Sequence, residues 1–338
     1  MSSTAALRAR FNIVPHVIRA STPSFSLACN HYKRIPGDSS PAALPSTFSE
    51  ATPPLLFTHA NGFHKEIWEP VMARLTPPWG TGDMYAFDCR NQGDSAVLNK
   101  DVLENTFDWY SYARDILQCV DTFGLKKPIG VGHSFGASAF ILAELIRPGT
   151  FSAIVAVDPT MFPAAIKMSV PVDDHPMAQI TLRRRDTWKD REEAKAQLLK
   201  KPFFQAWHKE AMDIYIEHGL VDAVGKDGSP QVTLKCPKFQ EAITFAMVGT
   251  GLADAFENLD KVKIPIHLIV GGTSDINPSE LVDAKMALIQ KGSLDVVEGA
   301  GHLVSLEQPE KTANLISTFL DRFWASRKET AETPRARL

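Results

Sequence analysis

The stretch Ile129-Gly130-Val131-Gly132-His133-Ser134-Phe135-Gly136-Ala137-Ser138-Ala139-Phe140-Ile141-Leu142-Ala143-Glu144-Leu145-Ile146 decides how this chain is read. Its opening residues have the composition and length of a short apolar strand, and residues 137–146 those of an apolar helix. Between them Gly132-His133-Ser134-Phe135-Gly136 fits G-x-S-x-G, the pattern that seats a nucleophilic serine on a sharp, strained strand-to-helix turn. The glycines are needed because a Cβ on either side of that serine would collide with the neighbouring strand and helix. The pentapeptide alone is a weak signal; the strand before it and the helix after it give it meaning.

The same alternation extends outward in both directions. Upstream, the pattern predicts a strand over 55–58, a helix over 66–75, a strand over 84–87 and an amphipathic helix over 107–123. Downstream come a strand over 153–157 and, later, a strand over 266–270, a helix over 279–290, a strand over 293–297 and a helix over 308–323. Strands alternating with helices imply βαβ units, and so an α/β fold whose mostly parallel sheet is covered on both faces. Before them, residues 11–19 and 25–33 are β-rich runs around Ser21-Thr22-Pro23-Ser24, an opening hairpin. The absence of acidic residues before Asp38 would also suit a mitochondrial presequence, but the two β-rich runs favour the hairpin. Residues 36–54, rich in Pro, Ser and Ala, read as a surface loop.

From Pro159 to Pro237 the alternation stops. Prolines, a charged helical stretch over 187–201 and the aromatics Trp188, Phe203, Phe204 and Trp207 suggest a helical cap laid over one end of the sheet. The expected division is a core of residues 1–158 with 239–325, a cap of 159–238, and a polar, disordered tail of 326–338.

Composition narrows the function classes. The chain has 338 residues, 44% hydrophobic, with 36 Lys+Arg against 39 Asp+Glu. That near-neutral balance argues against a dedicated nucleic-acid binder, and no apolar run is long enough for a membrane span. Cys29, Cys89, Cys119 and Cys236 have neither CxxC nor zinc spacing, which suggests a reducing compartment. His59 and His64 lack a third ligand nearby, so no metal is expected, and nothing implies a cofactor.

A serine nucleophile needs a base and an acid, in the chain order Ser, acid, His for a G-x-S-x-G turn. His302, in the loop Gly299-Ala300-Gly301-His302 after a strand, is the candidate base. His175, His208 and His218 fall in the cap and His267 within a strand. Two aspartates at strand ends compete for the acid: Asp158 after residues 154–157, and Asp275 in Gly271-Gly272-Thr273-Ser274-Asp275. The residues themselves leave both open. For the oxyanion, the backbone N–H of Phe135 opens a helix, and the loop Thr58-His59-Ala60-Asn61-Gly62-Phe63-His64 supplies a second donor, Asn61 first and Phe63 as its alternative.

Ser134, His302, the His59-Ala60-Asn61-Gly62-Phe63 loop, the run Asp88-Cys89-Arg90-Asn91-Gln92-Gly93-Asp94-Ser95 and the segment from Gly301 to Glu310 together resemble the α/β-hydrolase superfamily. Within it the chain is most similar to fungal secondary-metabolite hydrolases, such as the peroxisomal acyl-CoA hydrolase of mycophenolic acid biosynthesis and hydrolases of host-selective toxin clusters. The resemblance implies an eight-stranded sheet and an acid after the sixth strand, which is Asp158. It also implies a small-molecule acyl ester or thioester substrate, cleaved through an acyl-enzyme. Ala60 departs from the usual Gly of the oxyanion loop, and no motif in the cap fixes the substrate. An acyltransferase using the same triad and a non-catalytic ligand-binding protein are the competing readings. Epoxide hydrolysis is disfavoured because the elbow carries Ser134 and no carboxylate. Ala336-Arg337-Leu338 is a variant of the Ser-Lys-Leu address, so a peroxisomal import receptor is an expected partner, with a cytoplasmic location as the alternative.

Overall fold

The structure is a computed structural model that describes residues 3–35, 52–76, 82–166, 169–247, 249 and 251–332. The strands are β1 (Phe11–Arg19), β2 (Ser26–Arg34), β3 (Leu55–Thr58), β4 (Met84–Phe87), β5 (Ile129–His133), β6 (Ala153–Val157), β7 (Thr187–Trp188), β8 (Leu220–Val224), β9 (Pro230–Leu234), β10 (Ile266–Gly271) and β11 (Gly292–Val297). Eight of them form one sheet in the order β1-β2-β4-β3-β5-β6-β10-β11. β1 and β2 are the expected hairpin, antiparallel to each other, and β2 pairs antiparallel with β4. From β4 onward every pairing is parallel. The carboxyl ends of β3, β5, β6, β10 and β11 therefore share one edge, where open α/β sheets build their sites.

Side chains alternate between two apolar layers, as a sheet covered on both faces requires. Ile129, Val131, Ala153, Val155 and Val157 enter one layer; Ile154, Ala156, Leu268 and Val270 enter the other, with the helix Phe135–Ile146. Gly130 and Gly132 let that helix lie close: a Cβ at Gly130 would come within 2.7 Å of the Phe140 ring, and one at Gly132 within 2.6 Å of the Ala137 backbone. The second obstruction is backbone, which cannot swing aside. Gly132→Ala is expected to destabilise the protein by about 1–3 kcal/mol, the usual range for overpacking, read as a lower urea midpoint at unchanged slope.

Several helix bounds differ from the sequence expectation. The helix predicted over 66–75 is a 3-10 turn, Lys65–Trp68, followed by the short helix Glu69–Met72. The helical stretch expected over 187–201 begins as strand β7 and only becomes helix at Arg191–Leu198, capped by the Asp190 carboxylate on the Glu193 N–H. The insertion is not purely helical: β7, β9 and β8 form a three-stranded antiparallel sheet within it. Pairing of β8 with β9 gives these short segments hydrogen-bond partners that their local sequence did not advertise. The last helix runs Pro309–Glu332, so residues 326–332 of the expected disordered tail are helical. The loop expected over 36–54 lies largely outside the described residues, as does Ala336-Arg337-Leu338.

Candidate active site

Ser134 stands between β5 and the helix Phe135–Ile146 with φ +55°, a left-handed conformation rare outside glycine. Its N–H donates to the Val157 carbonyl at 2.8 Å, tying the turn to β6. A Cβ at Gly136 would lie 2.6 Å from Thr58 Oγ1 and 2.7 Å from the His59 carbonyl, so the loop after β3 sits directly against the turn. Asp158, immediately after β6, also takes a left-handed φ, +42°, with its N–H on the Ile269 carbonyl at 2.7 Å. Two non-glycine residues in that region at adjacent strand ends mark where the backbone has been bent to aim side chains.

The side chains meet. Ser134 Oγ is 2.9 Å from His302 Nε2, and His302 Nδ1 is 2.8 Å from Asp158 Oδ1. Asp158 is fully buried and receives further donors: Gly271 N–H on Oδ2 at 2.8 Å, and Ser274 Oγ at 2.8 Å and Asn277 Nδ2 at 2.6 Å on Oδ1. Burial pushes its carboxyl up, but the hydrogen bond and charge of His302, with the Gly271 and Asn277 donors, more than offset this and hold it below the ordinary aspartate value. Asp275, the rival acid, is exposed to solvent; its neighbours Ser274 and Asn277 are the residues of that loop that reach the site.

The loop carrying His302 is held from two sides. Glu307 accepts the N–H groups of Gly301, at 2.7 Å, and Leu303, at 3.3 Å. His133 Nε2–H donates to the His302 carbonyl at 2.8 Å, with Ser305 Oγ against its Nδ1 at 3.3 Å. Burial, reinforced by the nearby His302, lowers the His133 imidazole to about 4, so it is a neutral support near pH 7.

On the other side of Ser134, the N–H of Phe135 opens its helix, where no intrahelical acceptor exists for it. The loop after β3 is internally braced. His59 donates from Nδ1 to the Ala60 carbonyl at 2.8 Å and accepts the Cys89 N–H on Nε2 at 3.1 Å, so both ring nitrogens are committed. Gln92 bridges Asn61 Oδ1 at 2.6 Å and the Gly62 N–H at 2.8 Å, while Asn61 Nδ2 reaches the Glu241 carbonyl at 3.1 Å. The Asn61 side chain is thus spent on bracing, and what it can offer a reacting oxygen is its backbone N–H. Phe63 N–H closes a turn onto the Ala60 carbonyl at 3.3 Å. Its ring packs on Trp207 and Tyr215 of the insertion, at centroid distances of 5.5 and 5.9 Å. Arg184, from the insertion, grips the buried Glu241 carboxylate with both terminal nitrogens, fastening the insertion beside this loop.

The sequence does not by itself mark His133, Gln92, Asn277 or Glu307 as residues that brace this constellation. His133, Gln92 and Glu307 lie inside the motifs quoted above, but a motif does not say which atoms a side chain bridges.

The profile of the Alpha/beta hydrolase family matches residues 55–315. Peroxisomal membrane protein LPX1 of Saccharomyces cerevisiae is 24% identical over 292 residues, 80% of this chain and 75% of that protein. Type I acyl-CoA thioesterase mpaH of Penicillium brevicompactum is 29% identical over 143 residues, 40% of this chain but only 33% of that protein. The solved structure of the peroxisomal alpha-beta-hydrolase Lpx1 from Saccharomyces cerevisiae superposes with a TM-score of 0.76 at 20% identity, covering 97% of this chain and 94% of that one. With the family profile spanning every strand from β3 to β11 and the turn at Ser134, this chain belongs to the alpha/beta hydrolase family.

Proposed function

We propose that this protein is a serine hydrolase of acyl esters or acyl-CoA thioesters. The observation that carries the reading is the relay Ser134 Oγ to His302 Nε2 at 2.9 Å and His302 Nδ1 to Asp158 Oδ1 at 2.8 Å. Ser134 Oγ attacks the substrate carbonyl carbon as His302 Nε2 takes its proton. Asp158 holds the imidazole with its Nδ1 protonated and stabilises the imidazolium that forms. The negative oxygen of the tetrahedral intermediate is met by the backbone N–H groups of Phe135 and Asn61. Collapse breaks the bond to the thiolate or alkoxide, which leaves with the proton from His302, and the acyl group stays on Ser134. Water then attacks this ester by the same route in reverse, releasing the acid and restoring Ser134.

The preference for a thioester is supported by the activity in the name of the mpaH relative, and the resemblance to fungal secondary-metabolite hydrolases points to acyl chains of that kind. The insertion, with Phe63, Trp207 and Tyr215 packed together beside the loop after β3, is the part of the chain assigned to acyl selection. The test is CoA release from a panel of acyl-CoA thioesters beside nitrophenyl esters, together with labelling by a fluorophosphonate probe. Labelling and turnover are expected. Labelling without net hydrolysis, and product formation only with an added alcohol or amine, would turn the assignment to acyl transfer; no labelling would leave a ligand-binding protein.

A peroxisomal location completes the proposal, supported by the name of the LPX1 relative and by Ala336-Arg337-Leu338, which an import receptor would read. A fluorescent protein fused to the N-terminus is expected to collect in peroxisomes and to become cytoplasmic when those three residues are deleted; diffuse fluorescence with them intact would overturn it.

A further inference from the structure

The helix Ser279–Leu288 buries Leu281, Val282 and Lys285 on one face. Leu281 and Val282 belong there by the ordinary logic of an amphipathic helix, but Lys285 does not: its side chain is fully buried, so it cannot reach water with its ammonium as surface lysines do. Nζ donates to the Pro159 carbonyl at 3.0 Å and to Asn277 Oδ1, and it stands 5.8 Å from the centre of the Phe162 ring. Among the described residues no carboxylate lies within ion-pair distance of it. A buried ammonium without a paired carboxylate is expensive, and an apolar side chain of similar length would fill the space at lower cost. Burial indeed lowers the ammonium to about 7, against the opposing pull of the Asp158 charge. Its two hydrogen bonds offset part of that cost, and where they lead says what the lysine holds in place.

Both acceptors belong to the surroundings of Asp158. Pro159 is the next residue after the left-handed turn at φ +42°. Asn277 carries the chain of bonds onward: its Oδ1 faces Lys285 and its Nδ2 donates to Asp158 Oδ1 at 2.6 Å. Nζ has hydrogens for both of its acceptors whether or not it is charged and a carboxylate only accepts, so the amide between them has a single favourable orientation. Without the ammonium the amide is anchored from one end only, by the carboxylate, and can swing out of line with the oxygen that also receives His302 Nδ1.

We infer that Lys285 is a positioning residue of the active site, fixing the Asn277 amide and the turn at Asp158 so that the carboxylate is aimed at His302. The inference rests on the serine-triad reading above. The contacts of Lys285 Nζ are with Pro159, Asn277 and the Phe162 ring, so its loss is expected to act on the reaction more than on substrate binding.

Lys285→Met is expected to lower kcat about 10–100-fold, the scale seen when an outer support of a metal-site ligand is removed, with KM within about twofold of the parent and only a small drop in thermal stability from the two acceptors left without their donor. Asn277→Ala should cost a similar factor, and the double variant no more than the worse single one, because both act through one path. Lys285→Gln, whose amide can still donate to Asn277, should recover most of kcat. Parental kcat in Lys285→Met, or losses that multiply in the double variant, would overturn the inference. If Lys285→Met does not fold, the comparison of Asn277→Ala with Lys285→Gln decides: the first must lose activity and the second must keep it, and equal losses overturn the inference. Ser134→Ala separates the two levels. An inactive Ser134→Ala beside a fully active Lys285→Met removes only the positioning role, whereas an active Ser134→Ala removes the triad reading beneath it.

Discussion

Ser134→Ala is expected to lower kcat by about 10⁶-fold, the scale seen when a serine nucleophile is removed, and to abolish fluorophosphonate labelling. The expectation follows from what the substitution deletes. Oγ is the atom 2.9 Å from His302 Nε2; alanine keeps the Cβ and therefore the same steric situation at φ +55°. The N–H of Ser134 still reaches the Val157 carbonyl and the N–H of Phe135 still opens the helix. Fold and oxyanion donors survive while the covalent step is lost. An unchanged melting temperature must accompany the loss for the result to be read as chemistry. Turnover at the parental rate would sink the acyl-enzyme mechanism and, with it, the assignment of His302 as base.

Asp158→Asn is expected to cost about 10⁴ in kcat, by analogy with the acid of the serine-protease triad. The amide offers His302 Nδ1 a neutral partner that can present its NH₂ group; the imidazole then carries its proton on Nε2 and cannot accept one from Ser134. Asn at this position also loses the charge that steadies the imidazolium, and it disturbs the donors from Ser274, Asn277 and Gly271. Asp275→Asn, on the exposed part of the neighbouring loop, should change kcat/KM by less than about twofold. Steady-state kinetics on the two variants side by side decides the acid. Comparable losses, or the larger loss at Asp275, would contradict the geometry.

The two aspartates show why the sequence alone stopped short. Both follow apolar strands, and those strands, β6 and β10, are neighbours in the sheet, so strand-end logic rates them alike. What separates them is the backbone turn at Asp158 and the inward reach of Ser274 and Asn277, neither of which has a composition signal. Phe63 shows what a position in a motif leaves open. It occupies a plausible position in the oxyanion loop, while its amide closes a turn and its ring belongs to the contact with the insertion. The β7-β9-β8 sheet went unread because strands of two and five residues carry little periodicity and become strands only by pairing. Lys285 had a legible anomaly, a charge on the buried face of a helix, though no sequence pattern says what lies opposite.

The sequence by itself determined the fold class, the G-x-S-x-G turn at Ser134, the histidine and the two strand-end aspartates that compete to face it, and the stretch where the strand–helix alternation stops. These follow from local sterics and periodicity: glycines where a Cβ cannot fit, apolar runs of strand length, helices between them. Only the tertiary structure decided which aspartate faces His302, which amides remain available beside Ser134, and how His133, Gln92, Asn277, Lys285 and Glu307 hold them. Those outcomes depend on hydrogen bonds between residues far apart in the chain, whose partners are chosen by strand order and loop geometry. A directional bond of about 3 Å exists only after the packing has brought its two ends together.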